Sequence, residues 1–248
     1  MHNIILVIIM NSLRNTKIII DPGHGGFDPG GGSNNYFKEK DLNLRISKYQ
    51  KQRFDELGID SVLVRTNDET LDPNNRILRI NSLNPNQNDI LISNHINSGS
   101  SSGGEVIYSI RGTNALPTLI ANNLKSKGLP IRNVYTRLGR SGKDYYFILR
   151  DTIPANAMII EYGFATDEND TNRLLYSWNE LAESVVKSIA EYLKVEYKEP
   201  SYKIYNVKNG DSLYLIAKKF NKTIDKIKDA NNLSSDLLNI GQVLIIPD

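Results

Sequence analysis

The 248-residue chain contains no cysteine. Disulfides, thiolate-ligated zinc and thiol nucleophiles are therefore excluded, and any metal site must use His, Asp or Glu. Histidine is scarce as well, with His2, His24 and His95 the complete set. Strong charge of either sign is missing. Thirty Lys and Arg oppose 28 Asp and Glu, and a net charge of +2 gives no general attraction to nucleic acid or to a membrane surface. From Ser201 onward seven lysines face five aspartates, so the last segment holds the whole excess, a hint of an anionic partner or simply a solvated face. The apolar run Ile4–Met10 is too short to span a bilayer. It makes a poor signal peptide, because no Lys or Arg precedes it and no small-residue cleavage site follows. The expectation is an N-terminal extension over residues 1–14, with translation starting at Met1 or Met10.

What is present is 40% hydrophobic and 23% charged residues, the composition of a globular protein with a full core. Spacing predicts strands over Lys17–Ile20, Ile59–Thr66, Asp89–His95, Gly104–Ile110, Tyr145–Asp151 and Asn156–Gly163. Helices are expected over Glu39–Gly58, Asn74–Asn84, Leu116–Gly128 and Trp178–Val195. Alternation of the two, with several unbroken apolar strands, indicates an α/β fold with a mostly parallel sheet flanked by helices. The charged, proline-containing stretch 196–203 reads as a linker. Beyond it a small βααβ unit is expected over 204–248, with strand Ile204–Val207, helices Leu213–Phe220 and Ile224–Asn231, and strand Gln242–Ile246.

Ligands of parallel α/β sheets sit beyond the carboxyl ends of the strands. His24 follows the first strand, His95 ends "ILISNH", and Glu161 follows "AMII". Glu39 opens the first helix, just past the glycine loop "DPGHGGFDPGGG". Two imidazoles and two carboxylates thus converge on one rim. Two histidines, one carboxylate and an open position form a known catalytic zinc arrangement, and a further carboxylate can act as general base or acid. Competing motifs fail. "GHGGFD" has Asp28 where a dinucleotide loop needs its third glycine, and "GRSGKD" lacks the Walker spacing. "GSSSG" around Ser101 has no downstream histidine to complete a hydrolase triad.

The motifs "KIIIDPGHGGFDPG", "KEKDLNL", "ILISNHINS" and "MIIEYGFATDENDTNRL", in that order, resemble the zinc-dependent N-acetylmuramoyl-L-alanine amidases of the LytC/AmiC type across Lys17 to about Val195. The tail "IYNVKNGDSLYLIAKKFNKTIDKIKDANNLSSDLLNIGQVLIIP" resembles a LysM module, a glycan-binding unit. The resemblance implies a catalytic domain over 15–195 with one catalytic Zn²⁺, ligated by His24, Glu39 and His95, with Glu161 as the catalytic carboxylate. It implies cleavage of the amide between N-acetylmuramic acid and the L-alanine of the peptidoglycan stem, with the module over 204–248 gripping N-acetylglucosamine-containing strands through Gly210, Asp211, Ser212, Leu213, Asn239 and Ile240. Asp211 and Ser212 equally suit a helix cap. Arg150 and Asn97 are candidates for substrate contact, Arg150 being equally suited to a structural ion pair. The family's usual Ala-Asn after the second histidine is Ile96-Asn97 here, and the Ser/Gly-rich loop Asn97–Glu105 holds no autoinhibitory helix.

The expected partner is peptidoglycan, with no nucleic acid, no membrane span and a monomeric state. The expected place of action is the bacterial wall, after cytoplasmic synthesis with release on lysis, or non-standard secretion. A zinc peptidase acting within the stem peptide and a non-catalytic wall-binding protein are the alternatives.

Overall fold

A computed structural model describes residues 16–248. The expected extension over 1–14, and with it the choice between Met1 and Met10, lies outside the described residues. The first module runs β1 (Ile18–Pro22), α1 (Glu39–Glu56), β2 (Ser61–Leu63), α2 (Pro73–Ser82), β3 (Ile90–Asn97), β4 (Gly104–Tyr108), α3 (Ala115–Ser126), β5 (Ile131–Tyr135), α4 (Phe147–Arg150), β6 (Asn156–Phe164), α5 (Glu168–Tyr176) and α6 (Trp178–Leu193). Its strands form one sheet in the order β2-β1-β3-β6-β4-β5. All neighbouring pairs are parallel except β4 with β6, which is antiparallel.

Alternation along each strand divides the core in two. Ile18, Ile20, Ile90, Ile92, Met158 and Ile160 point to the face covered by α1, α3 and α6. Ile19, Leu91, Ala157 and Ile159 point to the opposite face, where Ile80 of α2 and Ile148 and Leu149 of α4 cover them. Burial on both faces explains the unbroken apolar runs of β1, β3 and β6. Continuing the alternation by one or two steps puts His95 and Glu161 on the second, more thinly covered face. In-register pairing of His95 with Glu161 across β3 and β6 sets them side by side.

Three elements differ from expectation. The run Tyr145–Asp151 is not a strand but contains the short helix α4. A brief apolar run carries no period of its own. Here Asp144, just before it, is anchored to Ser109 Oγ (2.7 Å) and the Ile110 amide (3.0 Å), and Ile148 and Leu149 both turn under the sheet. The edge strand β5 has only partial or no burial along its length, so its sequence lacks a strand's apolar signature. Helix α5 is polar, and starts where the Asp167 carboxylate accepts the Asp170 amide at 2.9 Å.

The second module pairs β7 (Tyr202–Asn206) antiparallel with β8 (Val243–Pro247) and places α7 (Leu213–Phe220) and α8 (Ile224–Asn231) between them in sequence. Ser212 caps α7 and Thr223 caps α8, each accepting an amide at 3.2 Å. Both helices stop at an asparagine in the left-handed region, Asn221 and Asn232, a conformation asparagine tolerates well. This module has its own core, built on Val207, Leu213, Ile216, Ile227, Leu244 and Ile246.

The two modules are in direct contact. Trp178 Nε1 donates to Asn206 Oδ1 at 2.9 Å, and both residues are 2% exposed. Asn206 Nδ2 donates to the Tyr176 carbonyl, and Tyr202, Ile204 and Val243 pack on the first module's core. The stretch expected as a linker is tied down, with Arg53 donating to the Lys198 carbonyl (2.6 Å) and the Tyr197 hydroxyl to Glu183 (2.8 Å). Strand β7 begins at Tyr202, two residues inside that stretch.

Candidate functional site

The loop after β1 is held from below by two arginines. Arg65, buried, donates from Nε to the Pro22 carbonyl (3.0 Å) and from Nη2 to the Gly23 carbonyl (3.0 Å). Arg76 donates to the Pro22 carbonyl (2.9 Å) and the His24 carbonyl (2.8 Å), and pairs with the buried Asp21. Asp21 also accepts from Ser93 Oγ at 2.7 Å. These contacts fix His24 with φ +61°, an uncommon conformation for a side-chain-bearing residue that needs such over-determination.

Close approach accounts for two of the loop's glycines. A Cβ on Gly23 would lie 2.3 Å from Cε1 of His95, so only glycine leaves space for that ring. Gly30 has φ +86°, and a Cβ there would meet Glu39 Oε2 at 2.3 Å.

Glu39, 1% exposed, stands at the start of α1. Its Oε2 accepts the Gly32 amide (2.7 Å), and its Oε1 accepts the Ile96 amide (2.9 Å). The same Oε1 lies 3.2 Å from Nε2 of His24 and 3.2 Å from Nδ1 of His95. Burial opposes ionisation of Glu39, but its contacts with the two imidazoles outweigh that and hold its carboxyl well below the usual range. On His24, burial opposes the charge, while Glu39 and then Asp28 outweigh it and push the pKa up to about 9. Asp28 Oδ2 sits 2.7 Å from His24 Nδ1, orienting the ring so that Nε2 faces Glu39.

One donor atom from each of His24, Glu39 and His95 lies within 4.8 Å of the others. Zinc bound tetrahedrally at about 2.0–2.2 Å would set neighbouring donors about 3.3–3.6 Å apart. The 3.2 Å separations across Glu39 Oε1 match that edge closely. A carboxylate behind a metal-facing histidine, as Asp28 is behind His24, is the usual outer support of such a site. The donor set and spacing fit zinc.

Glu161 lines the same cleft as both histidines, a cavity of about 300 Å³ with Leu71, Pro73, Phe147 and Ile148 among its apolar walls. Its Oε2 is sealed from solvent and has no hydrogen-bond partner among the described residues. Burial raises its pKa to about 7; His95 pulls the other way, and the charges of Glu39 and Glu105 reinforce the rise.

The structure therefore brings His24, Glu39, His95 and Glu161 together, and sets Arg150 and Asn97 apart from that cleft. Arg150 donates to the Asp144 and Tyr145 carbonyls and pairs with Asp151 at 3.0 Å, the structural ion-pair alternative. Asn97 lies past a register shift in β3 and donates to Glu105 at 3.2 Å. In the second module, the side chain of Leu213 is 2% exposed and belongs to that module's core. Asp211 turns inward, accepting from the Tyr205 hydroxyl (2.8 Å) and the Lys208 amide (2.7 Å). Gly210 has φ +85°, and Ile240 is 66% exposed beside Asn239, whose amide donates to Gln242 at 2.9 Å. The loops carrying these residues adjoin, because the Gly241 amide donates to the Val207 carbonyl at 2.7 Å.

Sequence reading missed Asp28, Arg65, Arg76 and Glu105. Asp28 was within reach, four residues from His24 in the same loop. Glu105 pairs opposite Glu161 only because β4 runs antiparallel, a direction its own residues do not encode.

Residues 18–194 match the family model for N-acetylmuramoyl-L-alanine amidase, and residues 205–247 match that for the LysM domain. The chain is 30% identical to the uncharacterized protein YqiI of Bacillus subtilis over 165 residues, covering 65% of this chain and 76% of that protein. It is 29% identical over 199 residues to the sporulation-specific N-acetylmuramoyl-L-alanine amidase of Bacillus subtilis, covering 78% and 74%. Among solved structures, N-acetylmuramoyl-L-alanine amidase AmiC2 of Nostoc punctiforme superposes with a TM-score of 0.63 at 27% identity, covering 72% of this chain and 97% of that one.

Proposed function

The chain belongs to the N-acetylmuramoyl-L-alanine amidase family and carries a LysM domain, and on that premise we propose that His24, Glu39 and His95 hold one zinc ion while Glu161 moves the proton in hydrolysis of the amide joining N-acetylmuramic acid to L-alanine of peptidoglycan. The observation that carries this reading is the unpartnered, buried Glu161 Oε2 in the cleft that both histidines line. A zinc ion held by His24, Glu39 and His95 would supply Lewis acidity toward the amide carbonyl and a water of lowered pKa, about 7. Glu161 accepts a proton from the attacking water and passes it to the departing alanine nitrogen, its burial favouring the protonated form between the two transfers.

In the LysM domain, the adjoining loops through Gly210, Asp211 and Ser212 and through Asn239 and Ile240 are the proposed grip on N-acetylglucosamine-containing strands. Leu213 closes the first of these loops, its side chain seated in the domain's core. The catalytic domain spans 15–195, and the segment after it to 203 joins the modules. Action as a monomer at the bacterial wall belongs to the same reading. Glu161→Gln is expected to retain one zinc per chain by elemental analysis and to lose roughly 10²–10⁴-fold in turnover of a muropeptide. His95→Ala is expected to lose both metal and turnover. A Glu161→Gln enzyme with undiminished turnover contradicts the assignment.

A further inference from the structure

A second cavity, of about 560 Å³, lies between the two modules and shares no lining residue with the catalytic cleft. Five lysines line it: Lys127 and Lys187 from the first module, and Lys203, Lys208 and Lys219 from the second. None of their amines has a hydrogen bond or ion pair among the described residues. Three instead sit over tyrosine rings that also line the groove: Lys187 at 5.4 Å from Tyr197, Lys208 at 4.8 Å from Tyr176 and Lys219 at 4.4 Å from Tyr205. Three carboxylates are present, Glu180, Glu183 and Glu199. Glu183 pairs with Arg53, which Glu56 shares, Glu199 accepts from the Tyr197 hydroxyl, and Glu180 has no ion pair among the described residues, so the five amines still outnumber the carboxylates. The buried Trp178–Asn206 hydrogen bond holds the two walls together.

A groove of tyrosines and of amines with no carboxylate partner suits a ligand that carries anionic groups on a sugar chain, since the amines match the charge and the tyrosine rings and hydroxyls can meet the sugars. The reaction proposed above makes such a ligand. Hydrolysis breaks the amide C–N bond and forms a C–O bond. The lactyl carbon becomes a carboxylate and the alanine nitrogen leaves as a free amine. Each muramic residue of a stripped strand therefore bears a negative charge where the unhydrolysed strand has a neutral amide. We infer that the groove between the modules binds the peptide-free glycan strand that the enzyme produces, keeping it on the strand it is stripping. The choice of occupant rests on the amidase reading.

The test measures binding of the full chain, without turnover, to peptide-free glycan strands prepared with a different amidase. The control is the same strands with their lactyl carboxylates converted chemically to methyl amides. The expected result is roughly tenfold tighter binding of the carboxylate strand, a preference that disappears in about 1 M salt, where charges are screened beyond about 3 Å. The triple variant Lys187→Gln/Lys208→Gln/Lys219→Gln should lose the preference. It should still bind the amidated strand as the parent does and keep its turnover of a small soluble muropeptide. Equal binding of the two strands by the parent, or an unchanged preference in the variant, overturns the inference. Failure of the amidase reading is seen separately, as absence of muropeptide turnover by the parent.

Discussion

Glu161 and His24 both hold their protons more tightly than free side chains, Glu161 because it is buried and His24 because Glu39 and Asp28 outweigh its burial. A carboxyl raised from 4.5 to about 7 keeps its proton in the folded state while the unfolded chain loses it. Stability from this group is therefore present below about pH 4.5 and is lost as pH rises toward 7. In chelator, Glu161→Gln should unfold at a higher urea concentration than the parent at pH 8, by about 2–3 kcal/mol, and show no gain at pH 4. No pH dependence in the difference would show that burial does not govern this carboxyl.

His24, with a pKa of about 9, must give up a proton to ligate a metal at neutral pH. Calorimetric zinc titration at pH 7 in buffers of different ionisation enthalpy should register release of about one proton from His24, fading near pH 10. A heat independent of buffer would contradict this. His24, His95 and Glu161 were legible in the sequence because parallel strands present their carboxyl ends at one rim, and Glu39 because it opens the helix just past the glycine loop. Arg65 and Arg76 were not. They act through backbone carbonyls of a loop distant in sequence, which leaves no local pattern.

At the scale of elements, the loop between β1 and α1 depends on packing from both sides. Gly23→Ala would push its Cβ into the His95 ring. The expected outcome is loss of zinc stoichiometry with near-parent circular dichroism; full metal content would show that the loop can shift. Below the loop, Arg76→Met would leave Asp21 buried without its cation. Removing one partner of such a pair costs about 3–5 kcal/mol, to be read as a lowered urea midpoint. The long elements were legible from their periods, and α7 in addition from the cap residues Asp211 and Ser212 before it. Short or edge elements were not. Strand β5 is too exposed to carry a pattern, and the apolar residues of α4 fit a strand equally well until Asp144 and the sheet above fix them.

At the scale of the whole molecule, the LysM domain docks on the catalytic domain through Trp178, Asn206, Tyr202 and the Arg53–Lys198 contact. The sequence suggested a charged spacer, because the partners that order it lie in α1 and α6 and only tertiary contact brings them together. A docked pair should unfold in one calorimetric transition. Trp178→Phe removes the buried donor to Asn206 and should separate the two modules into resolved transitions; two transitions in the parent would show that the interface contributes little.

The central claim concerns the bond that is cut, and the direct measurement is digestion of purified peptidoglycan with and without a chelator, read by mass spectrometry. The account predicts free stem peptides beginning at L-alanine beside peptide-free glycan, abolished by chelation and restored by zinc. Intact muramoyl–alanine linkages with cuts inside the stem peptide, or no cuts despite binding to the wall, would contradict it.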